Sequence, residues 1–133
     1  MQLNYIANAA VPSGSGRAIL VIDPSDGQPF DQIQRSNAAD LDTAVRAARQ
    51  CLDSVWSKLG AAERGRLLMR LSAKVTQHAE ELALIEQRDC GKPTRQARAD
   101  AAALARYFEF YAGACDKLHG ETIPYLDGYS VLT

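Results

Sequence analysis

The sequence predicts an α+β fold in which short antiparallel strands at the N-terminus precede about four helices and a terminal strand. Three observations carry this. Before residue 36, β-prone runs (LNYIA, AILVID, FDQIQRS) are separated by turn chemistry at Pro12 to Gly16 and across PSDGQP, Pro24 to Pro29, as hairpin or meander strands require. After it, apolar residues recur at steps of three and four, the spacing that lines one face of a helix. At the end, DGYSVLT reads as a turn feeding a strand whose partner is expected to lie outside the chain. The 133 residues thus divide into 1–36, strands and turns; 37–120, helical; and 121–133.

Taken in order, the first helix starts at Asn37, whose side chain can accept a backbone hydrogen bond from Asp40. Leu41, Ala44, Val45, Ala48 and Leu52 form its apolar stripe, which needs a partner. Trp56 and Leu59 fall in a connector. A second helix, Ala61 to about His78, carries Leu67, Leu68, Leu71 and Val75 on one face, and AEELALIEQRD adds a third with Leu82 and Ile85, terminated by Gly91 and Pro93. The last helix begins near Thr94, sets Ala97, Ala101, Leu104, Phe108, Tyr111 and Cys115 along one stripe, and closes at Gly120.

Composition narrows the function classes. With 47% hydrophobic residues and five prolines the chain has the make-up of an ordinary globular domain, large enough to bury a core. Fifteen basic against sixteen acidic residues leave a net charge of -1, no overall field for a nucleic-acid backbone or an anionic membrane. Arg64, Arg66 and Arg70 read as a solvated helix face. No run is long and apolar enough to span a bilayer, MQLNYIANAA lacks the regions of a secretory signal, and the expected compartment is the cytoplasm. Cys51, Cys90 and Cys115 are an odd number without a CxxC pair, so reduced thiols are the simpler reading than a disulfide framework or zinc site.

The densest chemistry lies in YAGACDKLHGE, Tyr111 to Glu121, with a thiol, carboxylates, an ammonium and an imidazole. On a helix ending near Gly120, Cys115 and His119 would be one turn apart, the spacing of a thiolate and imidazolium pair. Against that, a Cys on an apolar helical face is a small core residue, and a His in a last turn serves the final carbonyls. Cys90 in RDCGKP has Arg88 and Lys92 nearby but sits at a helix C-terminus, whose partial negative charge disfavours a thiolate. SGSGR, Ser13 to Arg17, lacks the third glycine and following helix of a phosphate loop and reads as a surface loop. His78 and His119 have no second ligand at metal spacing.

The order of several phrases goes further. YIAN, VIDPSDGQPF, NAADLDTAVRAARQCLDSVWSKLGAAERGRLLMRLSA, EELALIEQRDCGKP and RYFEFYAGACDKLHGETIP together resemble the N-terminal part of the NAD(P)-dependent aldehyde dehydrogenase superfamily, over essentially all 133 residues. Within it they are most similar to betaine-aldehyde, aminoaldehyde and related broad-specificity enzymes.

The resemblance implies an oxidoreductase turning aldehydes into carboxylic acids with NAD or NADP. It also implies that the PWN segment with its oxyanion-stabilising Asn, the dinucleotide-binding domain, the general-base Glu and the nucleophilic Cys lie beyond these residues. Among the 133 residues it assigns no catalytic and no cofactor-binding residue, so the chain alone is expected to be inactive and to bind no nicotinamide cofactor. Residues 121–133 correspond to the start of a hairpin that assembles subunits, and the expected partner is the remainder of the enzyme or a second copy. Asp89, in the xDxGKP motif, is implied to hold a sodium or potassium ion with the backbone carbonyls of Val21 and Ile22, a donor set that suits a hard cation, with a further carbonyl supplied from elsewhere. The expectation is the geometry without a firmly bound ion; the alternative is that Asp89 hydrogen-bonds the loop after its helix. Asp100 and Leu104 correspond to the aldehyde access tunnel, where an acid would favour cationic aldehydes; the alternative is a solvated Asp100 beside a core Leu104. A further alternative is an independent small binding or assembly protein that keeps this fold.

Overall fold

A computed structural model describes all 133 residues. The N-terminal strands are β1 (Asn4–Ile6), β2 (Ala9–Val11), β3 (Ala18–Ile22) and β4 (Pro29–Gln34). β1 and β2 form one antiparallel hairpin, turned tightly at Ala7 and Asn8, both at positive φ. β2 lies between two runs expected to be strand and turn, and three residues are too few for periodicity to register. β3 and β4 form a second hairpin, with Val21 opposite Asp31 and Ile22 opposite Pro29, so Phe30 is an extra residue and the ladder bulges there. Gln2 bridges to Ile33 and leaves the outer edge of β3 open.

Helix α1 (Ala38–Asp53) is capped as expected: Asn37 accepts from the Asp40 amide, and Asp40 Oδ2 accepts from the Asn37 amide in return. A 3-10 turn at Trp56–Lys58 leads into α2 (Ala61–Gln77), α3 (Ala79–Cys90) and α4 (Thr94–Ala114). Gly91 ends α3 at φ 69°, a left-handed cap that glycine adopts without a Cβ penalty. α4 stops at Ala114, more than one and a half turns short of the Gly120 expected from sequence.

The core sits between α2, α3 and α4. Of the nine buried residues, only Ser13 lies outside them; Gly65, Ser72, Val75, Ala83, Ala97, Ala101, Ala105 and Ala112 make up the rest. The buried face of α4 differs from the expected stripe. Ala97 and Ala101 are on it, but it continues through Ala105 and Ala112, while Leu104 and Tyr111 are exposed. The cause is the closeness of α2: a Cβ added to Gly65 would stand 2.6 Å from the Ala112 carbonyl oxygen, and buried Ser72 Oγ donates to the Ala105 carbonyl at 2.8 Å. Helices this close admit alanine along their contact ridge and turn large side chains to its flanks. Leu71, Leu82 and Ile85, expected on inward faces, are likewise exposed.

The terminal strand has a partner after all. β5 (Thr122–Ile123) pairs with β6 (Val131–Leu132), Thr122 opposite Leu132, and the Thr133 amide donates to the Glu121 carbonyl. A two-residue strand at the start of this hairpin is below what alternation reveals.

Candidate functional site

The candidate site lies where the β3–β4 hairpin meets the C-terminal end of α3. The turn after β3 rests on the α3 cap, since a Cβ on Gly91 would meet Pro24 Cγ at 3.0 Å. Val21, Phe30, Leu84, Ile85, Arg88 and Asp89 border one groove; Ile22 is not among its lining residues. Of the implied set Asp89, Val21 and Ile22, the first two thus border the same groove. Asp89 is exposed, and no side-chain hydrogen bond or ion pair occupies its carboxylate, whereas Arg88 and Cys90 on either side are both engaged. The loop-capping alternative for Asp89 therefore has no hydrogen bond to support it.

The backbone of β3 also offers oxygens at its open edge. With β4 as its sole neighbour, alternate residues of β3 turn their carbonyls to an open edge, so one of the consecutive pair Val21 and Ile22 does so. Opposite Ile22 stands Pro29, which has no N–H to donate. A carboxylate and backbone carbonyls would make an oxygen-only donor set, the kind that fits a hard monovalent cation and not a transition metal. No cluster of three His, Cys, Asp or Glu side chains exists for the latter.

Sequence reasoning missed Arg88. Its guanidinium stacks 4.4 Å from the centre of the Phe30 ring, and its Nε lies 3.5 Å from Asp23 Oδ2. Asp23 is held below its ordinary pKa chiefly by the Ser25 hydroxyl, then by the Ser25 amide, with Arg88 adding to this. Nothing local in the sequence links Arg88 to residues 23 and 30, because only the fold brings the hairpin there.

Asp100, the expected tunnel acid, is bound by Lys92 Nζ at 2.6 Å and by Gln96 Nε2 at 2.8 Å. Lys92 also binds Glu86. Its pKa is raised by Asp100 first and Glu86 second, and Lys92 lowers that of Asp100. Asp100 is therefore neither free nor simply solvated. Leu104, one turn on, is exposed rather than core.

The remaining tempting groups are structural. Cys115 Sγ donates to the Tyr111 carbonyl at 3.2 Å, and with α4 ending at Ala114, His119 does not follow it on a helix. No nucleophilic dyad forms. Cys90 Sγ donates to the Glu86 carbonyl. The SGSGR loop is tied down rather than open: Asp40 accepts from Ser13 Oγ at 2.6 Å and from the Gly14 amide at 3.1 Å, which consumes the donor a phosphate would need. Ser13 itself is buried, not on the surface. Arg64 packs over Trp56 instead of facing solvent freely.

The family model described as the aldehyde dehydrogenase family matches residues 11–133. The chain belongs to this family. Aldehyde dehydrogenase family 2 member B4, mitochondrial, of Arabidopsis thaliana is 42% identical over 125 residues, 92% of this chain but 23% of the relative. A putative aldehyde dehydrogenase from Burkholderia cenocepacia superposes with a TM-score of 0.92 at 61% identity, covering 98% of this chain and 27% of that one. A point mutant of betaine aldehyde dehydrogenase from Staphylococcus aureus, solved in complex with NAD+, superposes at 0.87 with 30% identity, covering 93% and 25%. The chain thus spans about a quarter of the length of the aldehyde dehydrogenases it matches and has their partial fold. No helix is long and apolar enough to cross a membrane.

Proposed function

We propose that these 133 residues are the N-terminal segment of an enzyme that oxidises aldehydes to carboxylic acids with NAD or NADP, and that by themselves they neither oxidise aldehydes nor bind the cofactor. The carrying observation is a family match over residues 11–133 that spans only a quarter of the relatives' length. The side chains agree. A thioester-forming Cys needs a base, oxyanion donors and a nicotinamide in place, and here Cys115 and Cys90 are each spent on a helical carbonyl.

The segment's contribution is support. Large apolar side chains left outside the core, Leu41 at 63% exposure and Phe110 at 61% among them, form a surface for the remainder of the enzyme or for a second copy in the cytoplasm. The β5–β6 hairpin is the start of the subunit-assembly element. Asp89 with the carbonyls of Val21 and Ile22 forms part of a sodium or potassium site, whose ion would supply positive charge to join the hairpin to α3. Asp100 and Leu104 line the aldehyde access tunnel. Because Lys92 already meets the Asp100 charge, selection for cationic aldehydes, and with it a betaine-aldehyde or aminoaldehyde preference, is weak at this position.

Purified protein is assayed with a panel of aldehydes and both nicotinamide cofactors. No cofactor reduction above background is expected; reduction that Cys115→Ala abolishes would overturn the proposal. The DNA beyond the Thr133 codon tests the parentage. A continuing or adjacent frame encoding PWN and a dinucleotide-binding domain supports it, and a stop codon with neither favours an independent assembly protein.

A further inference from the structure

Residues 17–34, which carry β3 and β4, touch residues 61–114 through one polar contact only, the pairing of Arg88 with Asp23. Apart from Pro24, which rests on Gly91, the second hold is the stacking of the same guanidinium on Phe30. These two grips flank the carbonyl-bearing residues of the candidate cation site. Asp23 follows Ile22 directly, and Phe30 is the residue the ladder skips between the Val21:Asp31 and Ile22:Pro29 pairs. On the helical side, Arg88 directly precedes Asp89. One side chain therefore spans the two halves of the donor set and fixes each within a residue of its ligand.

We infer that Arg88 is the positioning residue of the monovalent-cation site, holding the β3 carbonyls and the Asp89 carboxylate at a common groove; this rests on the cation reading proposed above. Arginine suits the task. Its planar guanidinium stacks on an aromatic ring and offers an edge to a carboxylate at once, which a lysine ammonium does not do equally well. A cation beside a site meant for a cation would ordinarily repel it, but Asp23 meets the Arg88 charge. The rival arrangement is that Arg88 stands in the cation's place and makes the ion unnecessary.

The test is amide hydrogen exchange across residues 18–34 of the purified chain, over a rising series of sodium or potassium chloride against choline chloride at equal ionic strength. In wild type the small cations are expected to slow hairpin exchange at the upper end of the salt series, where an incomplete and therefore weak site fills, and choline is not. Asp89→Asn removes that dependence and leaves the rates in choline unchanged. Arg88→Ala raises the rates in choline roughly tenfold, through loss of both grips, and removes the cation dependence as well. Arg88→Lys and Phe30→Leu, milder changes, give intermediate effects, and α2 and α4 amides stay protected in all four variants. Cation dependence that survives Arg88→Ala at wild-type strength overturns the positioning role. A dependence that grows in Arg88→Ala overturns it too, in favour of the rival arrangement. No cation dependence in wild type sinks the underlying cation reading, an outcome distinct from either.

Discussion

Helix α1 and the α2–α4 pair are both amphipathic, yet one buries none of its residues and the other two bury seven between them. α1 has the larger side chains on its stripe, Leu41, Val45 and Leu52, and a fully formed capping box. α2 and α4 meet through glycine, serine, valine and alanine. The difference teaches that an apolar stripe records a demand for cover, while closeness of approach decides whether the chain itself supplies it. The α2–α4 contact is built mostly from small residues that let the two backbones approach. The α1 stripe borders only the β1–β2 hairpin and leaves Leu41, Val45 and Leu52 exposed.

The largest effect is expected where the two helices touch. Gly65→Ala pushes a Cβ to 2.6 Å from the Ala112 carbonyl oxygen, a backbone atom that cannot swing aside. Against the ~1 kcal/mol that alanine gains over glycine in a helix, the overpacking should leave a net loss of about 2 kcal/mol in urea unfolding. An unchanged midpoint would mean that the helices are not held this closely.

Next, Ser72→Ala removes the buried donor to the Ala105 carbonyl and should cost about 1 kcal/mol. The same substitution at Ser57, whose hydroxyl is exposed on the connector, should fall within about 0.5 kcal/mol of wild type and serves as the control.

On α1 the expectation reverses. Leu41→Ser with Val45→Ser should change stability by less than about 0.5 kcal/mol per site, since neither side chain is buried, while reducing self-association seen by sedimentation. A loss comparable to that of Gly65→Ala would erase the contrast between the regions.

The smallest effect is electrostatic and confined to the N-terminal strands. The Gln2 amide, then the Gln32 amide and the N-terminal ammonium, lower the Asp31 pKa to about 2 from 3.8. A depressed carboxyl stabilises the fold above its unfolded value. The contribution should therefore be intact above about pH 4 and fade as pH falls from 3.8 through about 2. An NMR titration should place the Asp31 carboxyl near the lower value, and a midpoint at 3.8 would show the N-terminal bridge to be open in solution.

Much of this architecture was legible in the residues. Asn37 and Asp40 announce the start of α1, Gly91 and Pro93 the end of α3, and Pro24 to Pro29 the turn between β3 and β4, because capping and turn formation depend on neighbours in the chain. The family phrases are also local, which is why membership could be read before any coordinate. The misplaced core has one cause. Leu104 and Tyr111 outranked Ala105 and Ala112 as core because hydrophobicity ranks residues by size, and the approach of Gly65 inverts that ranking. Against the Cys115 and His119 pair, already disfavoured by local chemistry, the end of α4 at Ala114 adds a reason that periodicity did not show.

The sequence by itself determined the class of fold, the capped starts and stops of its helices, the absence of a net charge for polyanions, and the family. These follow from backbone preference and composition, which act over a few residues at a time. Tertiary structure alone decided which face of α4 is buried, that Lys92 claims Asp100, that the terminal strand closes on Thr122 and Ile123, and that Arg88 reaches across to Asp23 and Phe30. Each of those is a meeting of residues from separate elements, set by how closely the backbones approach, and no local pattern encodes that distance.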